Sequence, residues 1–178
     1  MSNFKFTRPD NFPPIVKNLI IINVIVYIAQ LTLEKDFHLT SKIGLWPVES
    51  PHFQPYQFFT HMFAHSPGSI FHILFNMFNL WMFGKILENV WGAKRFLIFY
   101  LACGVGAAVL HLIVGYFEFR EIVDAAAQLK QEGQTELAEK LLNLPVYAVG
   151  ASGAVMGIFV AFGYLFPNTE LMIMPIPI

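Results

Sequence analysis

Residues 96–117 read FLIFYLACGVGAAVLHLIVGYF, and His111 is the only strongly polar side chain among them. A helix that crosses a bilayer needs about 20 mostly apolar residues, so this segment predicts a membrane span. Working outward from it, residues 15–33, 70–87 and 149–166 approach the same length and composition. The whole chain is 56% hydrophobic and 13% charged, with a mean hydropathy of +0.55. An ordinary soluble domain carries about 25% charged residues. The expectation is therefore an all-α membrane protein with four spans, whose first partner is the lipid bilayer.

The same composition excludes other classes. Net charge is −1, and the basic residues are scattered without aromatic interleaving, which argues against nucleic acid as a partner. Cys103 is the only cysteine, so neither a disulfide framework nor a CxxC metal site can form, and no cofactor or metal is expected. The first apolar stretch has basic flanks. It ends in Thr32-Leu33-Glu34-Lys35 rather than in a small-residue cleavage site, and reads as a retained span.

Charge sets the expected orientation. Residues 1–14 form a short proline-containing tail in which Lys5 and Arg8, with the adjoining Lys17, outweigh Asp10. Between the second and third spans, Lys85, Lys94 and Arg95 outweigh Glu88. The outer loop 34–69 and residues 118–140 are net negative. By the positive-inside rule the N-terminus faces the cytoplasm and the two acidic segments face out. The compact tail suits a bacterial cytoplasmic membrane.

The remaining segments are lengths of a single membrane domain, 15–178. The outer loop carries Phe53, Tyr56, Phe58, Phe59 and Phe63 among prolines, which suits a position at the membrane interface. Residues 118–147 form an outer amphipathic insertion. Ile122, Ala125, Ala126 and Leu129 fall at helical spacing, followed after Gly133 by Leu137, Leu141 and Leu142. A surface helix, a helical hairpin and a plain solvated connector all fit. Residues 171–178, with Pro175 and Pro177, look like the start of a fifth segment.

The orientation places the chemically interesting residues at similar depth. Ser152 stands between Gly150 and Gly153 where an outer loop becomes an apolar helix. A glycine there lets a substrate backbone approach, and a helix start leaves unpaired N–H groups for a developing oxyanion. The alternative is packing, because Gly153, Gly157 and Ala161 form a small-residue stripe. His72 and Asn76 lie one helical turn apart near the outer start of the second span. Polar groups inside a span point into the bundle, either to act or to bond neighbouring helices, and Asn79 on the same side fits the second role. His61 and His65 have zinc-like spacing but lack a third ligand and the HExxH pattern, so structural hydrogen bonding is expected of them. Glu88 reads as bonded or paired with a base such as Lys85, Lys94 or Arg95, and His111 as a buried hydrogen-bonded histidine.

Taken together the chain resembles the rhomboid family of intramembrane serine proteases. The resemblance runs in family order through His61-Met62-Phe63-Ala64-His65, His72-Ile73-Leu74-Phe75-Asn76, Trp81-Met82-Phe83-Gly84, Glu88 and Gly150-Ala151-Ser152-Gly153. It implies a polytopic helical bundle, with four spans present of an expected six and a water-filled cavity open to the outside. Ser152 would be the nucleophile. His72, Asn76 and the Ser152 N–H would bind the oxyanion, within the backbone of the Gly150 and Gly153 motif. The substrates would be transmembrane proteins.

Three departures accompany the resemblance. Tyr56 and Gln57 stand where the family has a Trp-Arg pair. Met156 stands where some members place an aromatic against the catalytic histidine. The family's general base is a histidine on a sixth span, and no histidine follows Ser152 here. A serine hydroxyl without a base is a weak nucleophile, so the 178 residues alone are expected to be inactive. Ending at Pro175-Ile176-Pro177-Ile178, the chain reads as the front of a longer protease. The alternatives are an inactive relative that binds transmembrane clients and a small polytopic transporter component with His72, Asn76, Asn79 and His111 along its path.

Overall fold

Two prolines open the first helix. In the computed structural model, which describes residues 10–169, Pro13 is extended at the N-cap and Pro14 takes the first helical position, where a missing N–H leaves no bond unmade. Helix α1 (Pro14–Phe37) stops at His38, whose backbone is left-handed at φ 48°. Its buried residues, Val16, Leu19, Asn23, Tyr27 and Gln30, recur every three or four positions and form one face. Ile21, Ile25 and Ile28 are exposed on the other, as a lipid-facing surface requires.

The outer loop contains the short helices α2 (Leu39–Ile43) and α3 (Gln57–Thr60), then a 3-10 turn at His61–Phe63. Helix α4 (Ile70–Asn79), a π-helical turn at Leu80–Gly84 and α5 (Lys85–Trp91) follow one another directly as a single rod. Gly92, at φ 79°, reverses the chain into α6 (Ala93–Gln131). Helices α7 (Thr135–Leu142) and α8 (Ser152–Leu165) follow. Three rods, α1, α4 with α5, and α6, are long and apolar enough to cross a membrane. The chain is an integral membrane protein built as a helical bundle. Helix α8 is apolar too, but its 14 residues extend only about 21 Å.

Helix α6 departs from the sequence expectation. The third span does not end near residue 117 and give way to a separate insertion; one unbroken helix of 39 residues continues to Gln131. No glycine or proline lies between Tyr116 and Glu132, so the change from apolar to polar side chains changes the solvent and leaves the backbone ladder intact. Gly133, at φ 80°, then turns the chain, and α7 folds back on α6. Phe119, Ala126 and Ala138 are buried there, which selects the helical hairpin among the three expectations. Residues 1–9 of the tail and the expected fifth segment at 171–178 lie outside the described residues.

Helix α8 is seated by small residues. A Cβ on Gly157 would lie 2.5 Å from Cys103 Sγ and 2.7 Å from Cys103 Cβ, and one on Gly153 would overlap Ala107. Each glycine therefore faces one residue of a four-residue step on α6, the spacing of a close helix seam. Ala154, Ile158 and Phe162 turn inward to join Leu80, Phe83, Phe96 and Tyr100 in the main core.

Glu88 fastens the opposite end. Its carboxyl oxygens accept the Ile15 N–H at 2.9 Å and the Val16 N–H at 2.8 Å. It caps the first turn of α1 instead of pairing with a loop base, and supplies acceptors where a helix start has none of its own. Replacing Glu88 by alanine strands both donors and is expected to destabilise the bundle by about 2–4 kcal/mol. Glu88→Gln keeps one acceptor and should lose about half as much. Unfolding of the purified protein in mixed micelles reads both values; equal losses in the two variants would show that the cap is not what Glu88 contributes.

Candidate active site

Gly150 is where the outer loop meets the bundle, and its geometry needs a glycine twice over. Its φ is 129°, in the region that L side chains rarely adopt. A Cβ there would also lie 2.8 Å from His72 Nε2 and 3.5 Å from Ser152 Oγ. The bare α-carbon therefore sits between the imidazole edge and the serine hydroxyl. Two ties hold it there. The Gly150 N–H donates to His61 O at 2.9 Å, and Leu45 and Ala148 exchange both backbone hydrogen bonds at 2.9 Å.

Ser152 begins α8 and is exposed, so the N–H groups of the first turn precede any intrahelical acceptor. Packing and exposure are divided between neighbours: Gly153 and Gly157 form the seam with α6, and Ser152 lies off it. His72 is half-buried. The Ser66 N–H donates to its Nδ1 at 3.2 Å. A donor can meet only a lone pair, so the proton of the neutral ring is on Nε2, the atom beside Gly150. Asn76 is buried one turn below and donates from Nδ2 to His72 O at 2.8 Å, which leaves its second amide hydrogen free.

Two cavities meet at Ser152. One of about 340 Å³ runs between α4 and α8, lined by Phe75, Asn76, Asn79, Ser152, Val155, Met156 and Phe159. Asn79, expected to bond between helices, donates from Nδ2 to Phe75 O of its own helix at 2.8 Å. The other cavity, about 160 Å³, is lined by His61, His111, Gly150 and Ser152 among others. A larger one, about 700 Å³, lies on the apolar faces of α6 and α8 away from His72 and Asn76. The profile of the Rhomboid domain matches residues 52–178, a stretch that contains His72, Asn76, Gly150 and Ser152 and every residue of both Ser152 cavities except Leu45.

The chain belongs to the rhomboid family.

Two curated relatives carry the name. "Rhomboid-like protein 15" of Arabidopsis thaliana is 31% identical over 129 residues, which are 68% of this chain and 30% of that protein. "Rhomboid protein 1, mitochondrial" of Saccharomyces cerevisiae is 26% identical over 115 residues, 65% of this chain and 27% of that protein. The chain thus aligns with less than a third of either relative's length. No solved structure gives a significant match.

This rhomboid domain organises its outer loop with glutamines. Gln57, at the position of the expected arginine, is buried, and all four of its amide valences are used. Oε1 accepts from Trp46 N at 3.3 Å and Gln54 N at 3.1 Å, and Nε2 donates to Lys42 O at 3.2 Å and His52 O at 3.0 Å. An uncharged amide with two donors and two acceptors thus gathers the loop without an arginine. Gln30 does the same from α1 through His65 and Thr40, and sequence reading missed both glutamines, because most of their partners are backbone groups.

The three outlying histidines divide. His61 is bonded as expected, with Nδ1–H donating to Gln57 O at 2.7 Å. Burial holds its imidazole below the ordinary range. His65 differs from expectation: its backbone is bonded, but neither ring nitrogen has a partner among the described residues. Burial, and secondarily the His72 ring at 5.1 Å, push His65 down to about 4, so it faces His72 uncharged at neutral pH. His111, expected to be buried and bonded, is exposed at the small cavity. Among the described residues no group of three His, Cys, Asp or Glu side chains could hold a metal ion.

Proposed function

We propose that this rhomboid domain is the nucleophile-bearing part of an intramembrane serine endopeptidase acting on transmembrane proteins. Family membership supports either a protease-like or an inactive rhomboid-like role. The observation that carries the catalytic reading is the empty Cβ position of Gly150, bordered by His72 Nε2 and Ser152 Oγ. An acyl-transfer site needs a hydroxyl and a hydrogen-bond donor this close together, because the substrate carbonyl must reach the hydroxyl while its oxygen faces hydrogen-bond donors.

In this reading a base removes the Ser152 proton, and Oγ bonds to the carbonyl carbon of the scissile peptide. The negative charge moves to the carbonyl oxygen, which receives hydrogen bonds from His72 Nε2–H, the free Asn76 amide hydrogen and the Ser152 N–H. The protonated base then hands its proton to the leaving amine, and water hydrolyses the acyl-enzyme. His72 is a poor candidate for the base, since its Nε2 already holds a proton and its Nδ1 lone pair is taken. The reading therefore needs a base other than His72. The charge pattern supports an orientation with the N-terminus on the cytoplasmic side.

An inactive, client-binding rhomboid is the second reading. One observation favours it: among the described residues no side chain is hydrogen-bonded to Ser152. A serine-directed fluorophosphonate separates the two when applied to membranes containing the full-length natural protein. Labelling mapped to Ser152 is expected, because only an activated hydroxyl reacts. Intact protein with no label at Ser152 removes the protease reading.

A further inference from the structure

We infer that Gln30, on the first helix, is a positioning residue that fixes His72 in the tautomer whose proton is on Nε2. The inference deepens the reading of His72 as an oxyanion donor and rests on it for its functional meaning.

The connection is a chain of hydrogen bonds with one consistent direction. Gln30 is fully buried on α1. Its Oε1 accepts the His65 N–H at 2.9 Å, and its Nε2 donates to His65 O at 2.8 Å and to Thr40 Oγ1 at 2.9 Å. The amide cannot be flipped, because Thr40 has committed its own hydrogen: its Oγ1 donates to Glu34 Oε2 at 2.6 Å, and its N–H donates to the same oxygen at 2.8 Å. Thr40 therefore presents only a lone pair to Gln30, and Nε2 must face it.

The consequence passes through a single peptide plane. The carbonyl of His65 and the N–H of Ser66 belong to the same planar trans unit and point in opposite directions. Gln30 Nε2 grips the carbonyl end. The N–H end then faces away from α1, where it meets His72 Nδ1 at 3.2 Å. Donation into the carbonyl also polarises the plane and strengthens its N–H as a donor. If the plane turned over, Nδ1 would face a carbonyl and take the proton, and Nε2 would show a lone pair to the space beside Gly150. That lone pair would repel an oxyanion.

Nitrogen-15 NMR of the imidazole-labelled, purified chain in micelles distinguishes the tautomers without any need for activity. The native protein is expected to show His72 protonated at Nε2 and bare at Nδ1. In Gln30→Met, which keeps side-chain length and removes the hydrogen bonds, the Nδ1-protonated form should become at least half of the population. Ser66→Pro removes the N–H itself and should do the same. Asn23→Leu is the control: Asn23 is equally buried on the same face of α1 but bonds only to Leu19 O, so the tautomer should not move. If Gln30→Met does not fold, Gln30→Glu keeps the volume and the acceptor for the His65 N–H, and carries the same readout.

An unchanged tautomer in the folded Gln30 variant overturns the inference, as does an equal shift in Asn23→Leu. In active protein, Gln30→Met should lower kcat about tenfold or more with KM unchanged. Loss of fluorophosphonate labelling in native protein would overturn the protease reading while leaving the tautomer result standing, so the two failures are distinct.

Discussion

In the full-length natural protein, replacing Ser152 by alanine is expected to lower the cleavage of a transmembrane reporter by about a thousandfold or more, with no measurable loss of stability. The first half follows from the chemistry, because without the hydroxyl there is no acyl-enzyme and only binding and oxyanion stabilisation remain. The second half follows from the packing. Ser152 is exposed, accepts and donates no side-chain hydrogen bond among the described residues, and stands off the Gly153 and Gly157 seam. Such a truncation falls within about 0.5 kcal/mol. Cleavage and thermal unfolding measured on one preparation give both numbers, and cleavage that survives the substitution would remove Ser152 as nucleophile. A joint loss of cleavage and stability would mean that the serine supports the fold in a way its surroundings do not show.

Gly150→Ala should be nearly as damaging by a different route. The added methyl must tolerate φ 129° and would lie 2.8 Å from His72 Nε2. Backbone strain of this kind is worth about 1–3 kcal/mol. The imidazole must also retreat, and misplacing a catalytic donor by about 1 Å lowers the rate about a hundredfold. His72→Ala removes the same donor, with an expected loss in kcat of about a hundredfold to a thousandfold. Because both changes act on one group, the double variant should be little worse than His72→Ala alone. Additive losses in kcat across that cycle would show that Gly150 acts independently of the imidazole.

Much of this arrangement is legible in the sequence, and the illegible parts share a cause. The apolar runs mark the rods because lipid imposes a length and a polarity on each. The i, i+4 step from His72 to Asn76 needs nothing beyond helical periodicity, and the proximity of Ser152 follows once orientation sets a common depth. Helix α6 was harder to bound because hydropathy reports the surroundings of a helix. Its end is set by Gly133, sixteen residues after Phe117, the last position of the apolar run. Gln30 and Gln57 are invisible for another reason: a buried amide declares itself only through partners such as His65, which stands 35 positions along the chain. His111 shows the converse error, since a lone histidine in an apolar run invites the assumption that it is buried, and here it lies open at a cavity wall.

Helix α8 has one further consequence, which concerns water supply. A rod of about 21 Å cannot bridge a hydrocarbon slab of about 30 Å. The shortfall has to be met by bilayer thinning or by a depression in the lipid surface. The unpaired N–H groups at the Ser152 end need hydration that acyl chains cannot provide, so the depression belongs there. Hydrophobic mismatch thus becomes part of the water supply of the site: the thickness of the surrounding membrane sets how far a water molecule must travel to reach Ser152.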